Sequence, residues 1–504
     1  MSNHLFEALF AAAPPEAVAI RHEDGVLSYG DLELATARWA QALVSLNVQP
    51  GDRVAAQVEK SLEALVLYLA TVRIGAVYLP LNSAYTLAEL AYFIGDAEPA
   101  LVVCDPTLTP RVEEIAGSAE VVGLNADGRG ELYDLAQTDL LGGPPAPRAP
   151  EDLAAICYTS GTTGRSKGAM LTHRALESNA STLKDLWRFT GADALIHALP
   201  IYHVHGLFVA THTAMMAGAS IILQPRFDPA AVIAAMPGAS TFMGVPTHYT
   251  RLLAHPELTP EATAGMRLFV SGSAPLLAQT HHAWRERTGH LILERYGMTE
   301  TGMNASNPHD GERRAGTVGF PLPDVELRVV SEKTGQGLPP GEIGGIEVRG
   351  PNVCAGYWRN PEKTGEAFRD DGFFVTGDLG CLDEDGYLTI VGRDKDLVIT
   401  GGLNVYPKEV ETEIDAIEGV VESAVIGLPH ADFGEAVTAV VAVGSEGLTR
   451  LSEASILERL AEHLARFKQP KRIVFVADLP RNAMGKVQKA KLRETYAGLY
   501  TPAS

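Results

Sequence analysis

Cysteine, aromatic residues and uninterrupted apolar runs are scarce in this chain, and positive charge is outnumbered by negative. The 504 residues hold four cysteines, Cys104, Cys157, Cys354 and Cys381. They are widely spaced and form no Cys-x-x-Cys pair, which excludes a disulfide framework and a cysteine zinc site. Reduced thiols of this kind fit a cytoplasmic protein. The start, Met1-Ser2-Asn3-His4-Leu5-Phe6-Glu7, has no basic segment leading into an apolar run, so no signal peptide is expected. The most apolar early stretch, Leu62 to Leu81, is broken by Glu63 and Arg73 and is too short between charges to span a bilayer. The end, Thr501-Pro502-Ala503-Ser504, matches no lipidation or sorting signal. With 41 Lys and Arg against 62 Asp and Glu, the formal net charge is −21. That balance speaks against nucleic acid and anionic membranes as partners. A local cluster of cations and backbone donors can still hold a small anion.

What is present is a long globular sequence, 46% hydrophobic and 20% charged, which needs more than one core. Helical spacing from Leu32 to about Leu46 and from Leu62 to Gly75 alternates with strand-like runs at Arg53–Val58, Val77–Leu81, Leu101–Cys104 and Val121–Leu124. Such alternation predicts βαβ units and a largely parallel sheet. Gly142 to Pro150 reads as a linker. The pattern then resumes with strands at Ala194–Leu199, Ser220–Leu223, Thr241–Gly244 and Leu268–Gly272. Past residue 310, Thr317–Phe320, Val325–Val330 and Gly345–Gly350 are short and bounded by glycine or proline, which predicts a small β-barrel or antiparallel sheet. From Lys395 the texture is α+β, with helices at Pro407–Ile417 and Leu451–Leu464. The fold class is α/β: two α/β sheet subdomains plus a small β-barrel, followed by a small α+β domain.

The densest chemistry lies in Tyr158-Thr159-Ser160-Gly161-Thr162-Thr163-Gly164-Arg165-Ser166-Lys167-Gly168-Ala169-Met170. An apolar run, Leu153–Tyr158, precedes it, and Leu171-Thr172-His173 begins a helical pattern. Strand, glycine-rich loop and helix form the geometry that wraps a polyphosphate, because glycines admit backbone N–H groups and hydroxyls and cations add donors. It is no Walker A loop, since Gly164 is followed by Arg165-Ser166-Lys167-Gly168 rather than by Lys and Ser/Thr. Four further motifs fall at strand ends or in turns: Leu293–Glu300, Thr376-Gly377-Asp378, Gly392-Arg393-Asp394-Lys395-Asp396, and the Gly485-Lys486 loop. The last three, taken singly, read more readily as structural than as functional.

In this order they resemble the adenylate-forming superfamily of acyl-CoA synthetases, firefly luciferases and peptide-synthetase adenylation domains. The resemblance covers nearly the whole chain and rests on 158–170, Tyr296–Glu300, Thr376–Asp378, Gly392–Glu411 and Gly485-Lys486. Within the superfamily it is nearest to the malonyl-CoA synthetases, through Pro200–Phe208, Met243–Thr247, Glu294–Asn304 and Thr400–Glu409. The resemblance implies two half-reactions: a carboxylate attacks the α-phosphorus of Mg·ATP, then the CoA thiol displaces AMP. It implies that Thr159, Ser160, Gly161, Thr162, Thr163, Gly164 and Lys167 hold the β- and γ-phosphates. Thr299 donates to the α-phosphate and Glu300 ligates Mg2+. Ser273, Ala274, Pro275 and Glu294, Arg295, Tyr296 and Gly297 flank the adenine, and Asp378 and Arg393 hold the ribose. Lys486 bridges the substrate carboxylate and the α-phosphate. It divides the chain into an N-terminal domain 1–393, a hinge 394–395 containing Lys395, and a mobile C-terminal domain 396–504 whose Gly401-Gly402 loop faces CoA in the second step.

A malonate pocket must neutralise a second carboxylate. The sequence nominates Arg251, with His203 and Ser273 adding hydrogen bonds and Met298 and Met303 forming a wall that limits chain length. Methylmalonate, one methyl larger, stays open as a second acid. Two other readings also stay open: a CoA ligase for another short or aryl acid, and a non-catalytic nucleotide-binding paralogue. Retention of Lys167, Glu300, Asp378, Arg393 and Lys486 together argues against the paralogue.

Overall fold

The computed structural model describes residues 2–137, 140–159, 166–430, 432–444, 451–482 and 485–500. Ser160, Gly161, Thr162, Thr163 and Gly164 lie outside the described residues.

The apolar runs become strands because they are buried on both faces, as a sheet covered by helices requires. Leu101-Val102-Val103-Cys104, for example, is fully buried. It belongs to a six-stranded sheet in the spatial order Glu120–Gly123, Leu101–Cys104, Arg53–Gln57, Val77–Pro80, Leu153–Thr159, Lys167–Thr172. Its pairs are parallel except the last. The helix Leu62–Arg73 is buried on almost every side, and one apolar core continues from it into the second sheet.

That second sheet has nine strands: Phe320–Pro321, Gly302–Ser306, Ile292–Met298, Leu268–Ser271, Thr241–Gly244, Ala194–His197, Ser220–Leu223, Val18–His22 and Gly25–Ser28. The two α/β units are therefore interleaved rather than consecutive, since Val18–His22 lies parallel to Ser220–Leu223 with Ile20 opposite Ile221. The proline-rich stretch between the units is tied down: Ala146 N–H donates to the Arg73 carbonyl at 2.8 Å and Arg148 Nε to the Gly75 carbonyl at 2.8 Å.

The region expected to form a small barrel is a four-stranded antiparallel sheet, Glu326–Val330, Gly344–Arg349, Phe374–Leu382 and Leu388–Arg393. Its outer strands do not pair with each other; four short strands twist without closing. Thr317–Gly319 forms no strand of it, although Val318 N–H donates to the Leu388 carbonyl and Leu388 N–H to the Gly319 carbonyl, both at 2.8 Å. Gly319 crosses the Ser306–Asn307 backbone so closely that a Cβ would lie 2.1 Å from the Ser306 carbonyl oxygen, and Phe320–Pro321 joins the edge of the nine-stranded sheet.

After Arg393 a 3-10 turn, Asp394–Asp396, leads into a separate sheet. Its path is Leu403–Val405, Val398–Thr400, Gly434–Val443, Val420–His430, with Arg472–Val476 parallel to Gly434–Val443. The helices Pro407–Asp415 and Glu453–His463 pack into one of this domain's apolar clusters, and Lys489–Tyr496 into another. No helix among the described residues is long and apolar enough to cross a membrane.

Candidate active site

The phosphate-loop segment departs from the expected strand–loop–helix. Leu153–Thr159 turns back antiparallel as Lys167–Thr172, with Thr159 opposite Lys167, and the helix His173–Leu186 starts only afterwards, capped by Thr172. The two strands approach tightly at Gly168, where a Cβ would sit 2.7 Å from Ile156 Cγ2. The chain on either side of 160–165 is gripped by the helix Leu87–Ala97: Tyr158 Oη donates to Asp96 Oδ2 at 2.5 Å and Tyr92 Oη to the Ser166 carbonyl at 2.7 Å. Thr159, expected on a phosphate, donates to Glu300 Oε1 at 3.3 Å. Tyr357 Oη donates to the same oxygen at 3.1 Å. Burial raises the pKa of Glu300, with these two donors opposing. The Lys167 ammonium lies 4.5 Å from the Tyr357 ring centroid. Burial lowers its pKa, Lys395 lowers it further, and Glu300 opposes both.

The donor set fits Mg2+. Both side-chain donors to Glu300 fall on Oε1, leaving Oε2 without one among the described residues. No cluster of three or more His, Cys, Asp or Glu able to hold a metal occurs among those residues. A single carboxylate completed by phosphate oxygens and water is the usual Mg2+ arrangement, whereas a protein cage is not. Thr299 precedes Glu300 in the turn between the strands Ile292–Met298 and Gly302–Ser306.

The group expected to hold the ribose is built by strand register. Asp378 and Arg393 are directly opposed across an antiparallel pair, and Arg393 Nε lies 2.9 Å from Asp378 Oδ1. Tyr296 Oη donates to Asp378 Oδ2 at 2.6 Å, and the Asp378 N–H donates to Thr376 Oγ1 at 3.1 Å. Asp378 in turn raises the pKa of Arg393. Ser273, Ala274 and Pro275 follow the strand Leu268–Ser271 at its carboxyl end, where open α/β sheets bind ligands. Ser273 adopts φ +70°, rare for a non-glycine residue.

Glu294 is buried, and burial lifts its carboxyl to about 8, opposed by a backbone hydrogen bond from Gly316 and by Lys408. Between the ordinary value near 4.5 and about 8, the folded chain holds a proton that the unfolded chain has lost, so stability falls as pH rises through that window. Glu294→Gln copies the protonated form. It should leave the melting temperature unchanged at pH 5 and raise it by roughly 3 °C at pH 8. Equal melting of the two proteins at pH 8 would refute a neutral Glu294.

Alternation along Ile292–Met298 separates residues that the sequence grouped together. Glu294 and Tyr296 share one face, and Arg295 projects from the other. Arg295, expected with them beside the adenine, thus points away from the face they share. It is 4% exposed, and its Nε and Nη2 have no hydrogen-bond partner among the described residues. Those two N–H groups form the side edge that grips a carboxylate through parallel bonds. Gly272 makes room for it, since a Cβ there would lie 2.4 Å from the guanidinium carbon. Burial pulls Arg295 down to about 9, still charged at neutral pH. Around it stand His203 and His205. Burial, Arg295 and Lys486 push His203 down to about 4. Burial and Arg295 push His205 well below its usual value. His205 Nδ1 lies 3.1 Å from Ser273 Oγ, and His205 Nε2 has no partner among the described residues. Two neutral imidazoles thus stand within electrostatic reach of one buried cation, and Ser273 joins them through His205.

Lys486 reaches this pocket from the C-terminal domain. Arg481 and Val487 form a bridge pair, Gly485 takes φ +73°, and the Lys486 N–H donates to Asn482 Oδ1 at 3.0 Å. Ala483 and Met484 lie outside the described residues. Crowding by protein lowers the Lys486 pKa, Arg393 lowers it further, and Asp378 and Asp396 oppose. Lys395 sits in the 3-10 turn between the last two sheets. Gly401 and Gly402, at φ +57° and +79°, close the hairpin from Val398–Thr400 to Leu403–Val405 and are exposed. Two positive φ angles in a two-residue turn are the reason both positions are glycine.

Arg251, nominated for the distal carboxylate, stands apart from the Arg295 cluster, beside the loop that carries Lys486. It is exposed and lines an open cleft with Lys60, Arg226, Thr247, Arg481 and Gly485. Met303 is buried against Gly297 and belongs to the core, and Met298 packs against that core half-buried. Sequence reasoning missed Tyr357 and His205. Each left a signal: a tyrosine after the glycine of Gly356-Tyr357-Trp358, and a second histidine in His203-Val204-His205.

Comparison with known proteins supplies an independent reading. The AMP-binding enzyme family matches residues 8–358, and the AMP-binding enzyme C-terminal domain matches 409–486. The ATP-bound crystal structure of MatB from Rhodopseudomonas palustris is 59% identical, covers 99% of this chain and 100% of its own, and superimposes with a TM-score of 0.97. The apo form of the same relative, at the same identity and coverage, gives 0.85. The present domain arrangement is thus closer to the ATP-bound form. A malonate–CoA ligase of Arabidopsis thaliana is 33% identical over 555 residues, covering 98% of this chain and 91% of that protein.

Proposed function

The chain belongs to the AMP-binding enzyme family, and from that premise we propose that it ligates malonate to coenzyme A at the expense of ATP. The reaction passes through malonyl-adenylate and releases pyrophosphate and AMP. One observation carries the choice of acid: the buried, unpartnered Arg295 edge beside His205 and Ser273. A buried guanidinium without a carboxylate is costly, so its counter-ion arrives with the substrate. A monocarboxylic acid would leave it unpaired, and a fatty or aryl chain would have to bury apolar atoms against it.

In the first half-reaction Arg295 and Ser273 hold the distal carboxylate, and Lys486 draws the reacting carboxylate toward the α-phosphorus. Lys167 steadies the departing pyrophosphate, as do Ser160, Gly161, Thr162, Thr163 and Gly164 on the family's pattern. Tyr296, Asp378 and Arg393 fix the nucleoside, with Thr299 on the α-phosphate. Mg2+ bound at Glu300 would offset charge on the phosphates. Positioning and charge neutralisation account for this chemistry, since an anion is brought against a polyphosphate. For the second half-reaction, residues 396–504 swing about Lys395, withdraw Lys486 and present the Gly401-Gly402 turn to the pantetheine arm. Three free buried cysteines and a fourth half-buried one, with the need for ATP and CoA, support a cytoplasmic setting.

The test is CoA-dependent AMP release across a panel of mono- and dicarboxylic acids. Malonate should exceed acetate, propionate and aryl acids by at least about a hundredfold in kcat/KM, the scale set by leaving one buried charge unpaired. Methylmalonate should trail within about a hundredfold, because one methyl is a weak discriminator. A preference for an uncharged chain would overturn the assignment.

A further inference from the structure

Tyr357 lies in none of the motifs that define the site, yet it touches two of its charged groups. The segment 354–358 runs along the strand Lys167–Thr172. Met170 N–H donates to the Gly356 carbonyl at 2.9 Å, Ala355 N–H to the Met170 carbonyl at 2.9 Å, and Trp358 N–H to the Gly168 carbonyl at 2.8 Å. In this register Tyr357 is bridged to Ala169, two residues from Lys167, so the tyrosine and the lysine share a face of the pleat. The same segment is fixed to the Glu300 turn by Cys354 N–H donating to the Glu300 carbonyl at 2.7 Å. The Tyr357 N–H is held by Thr364 Oγ1 at 2.9 Å. The side chain is 7% exposed. Its hydroxyl and its ring therefore have fixed targets: Glu300 Oε1 at 3.1 Å and the Lys167 ammonium at 4.5 Å from the centroid.

A lysine and a glutamate near one another in a half-buried site would ordinarily close into an ion pair. Lys167 and Glu300 interact electrostatically, but no ion pair joins them among the described residues. We propose that Tyr357 is a positioning residue that keeps Lys167 and Glu300 apart and available, one for phosphate and the other for the divalent cation. Its hydroxyl, with Thr159, fills the lone pairs of Oε1 and turns Oε2 outward. Its ring face satisfies the ammonium without cancelling its charge, as a cation–π contact does. Outer groups that orient a metal-binding carboxylate commonly change metal affinity by one to two orders of magnitude.

This role rests on the adenylate-forming reading for ATP and Mg2+, but not on malonate, so its test omits the acid and CoA. Mn2+ replaces Mg2+ as the probe, and its dissociation constant from the enzyme·ATP complex is read by electron paramagnetic resonance. Metal-free ATP affinity is read by calorimetry. Tyr357→Phe keeps the ring and loses the hydroxyl. It should weaken Mn2+ binding about tenfold and leave metal-free ATP affinity within about twofold. Tyr357→Leu, which also removes the ring face, should weaken metal-free ATP binding as well. Unchanged Mn2+ affinity in Tyr357→Phe would overturn the proposal. A parallel loss of Mn2+ and metal-free ATP binding in that variant would also overturn it, by marking a purely structural residue. Wild-type protein that binds no ATP at all would instead refute the adenylate-forming reading.

Discussion

Arg295→Met is expected to lower kcat/KM for malonate by about two to four orders of magnitude while leaving ATP binding near normal. The magnitude follows from the burial. Removing one member of a buried charge pair costs about 3–5 kcal/mol, because the remaining charge is stranded, and each 1.36 kcal/mol is tenfold in kcat/KM. Methionine is chosen because it fills much of the volume left beside Gly272 without a polar atom. The loss should be specific to acids with a second carboxylate. Acetate or propionate, poor substrates of the parent enzyme, should be unchanged or improved, since the unpaired guanidinium that opposes them is gone. Arg251→Ala is the companion variant. Its side chain is exposed in the cleft, where water screens charge, and its kcat/KM for malonate should stay within about threefold of the parent. The reverse outcome, a large loss in Arg251→Ala and a small one in Arg295→Met, would return the distal carboxylate to Arg251. Neither histidine should impose a titration near neutral pH on malonate binding. His203 is held down to about 4 and His205 lower still, so both are neutral throughout the physiological range.

The contrast between those two arginines shows where the sequence was legible. Elements announced by apolar periodicity were readable: Leu101–Cys104, Ser220–Leu223 and Thr241–Gly244 occur with the bounds their patterns suggest. The polar motifs also fall on defined local geometry: Gly401-Gly402 closes a two-residue turn, and Asp378 faces Arg393 across a strand pair. Three things were not readable. The interleaving of Val18–His22 into the second sheet is a pairing across about two hundred residues, and nothing local encodes it. The antiparallel pairing of Leu153–Thr159 with Lys167–Thr172 hid because Lys167–Thr172 leads directly into the helix capped by Thr172, so its last residues read as part of that helix. The run Glu294-Arg295-Tyr296 reads in sequence as one group, although successive strand residues point to opposite faces. Arg251 looked attractive for its polar helix, His248-Tyr249-Thr250-Arg251, but helix position says nothing about which face a neighbouring domain covers.

Lys486→Ala should separate the two half-reactions. Adenylate formation, followed as malonate-dependent exchange of pyrophosphate into ATP, should fall by about two to three orders of magnitude, the usual cost of removing one preorganised group that meets developing charge. Thioester formation from supplied malonyl-adenylate and CoA should stay within about threefold of the parent. The asymmetry comes from the hairpin Arg481–Val487. In this arrangement it lies against Thr247, where a Cβ on Gly485 would sit 2.8 Å from Thr247 Oγ1, and it brings Lys486 close enough to lower the pKa of His203. The Gly401-Gly402 turn is exposed in this arrangement, and on the proposed scheme it faces the site only after the swing, so one domain placement would not serve both steps. The chain crosses between the third and fourth sheets only through Asp394–Asp396. At this turn Asp396 pairs with Arg493 of the C-terminal helix, a contact that would tie Asp396 to the moving body in the proposed swing and leave Lys395 as its pivot. Lys486→Arg should not recover adenylation: the guanidinium is a planar fork where a compact point charge has to fit between two anions. Equal loss of both half-reactions in Lys486→Ala would mean that the lysine acts in both, and the proposed swing of residues 396–504 about Lys395 would fall with it.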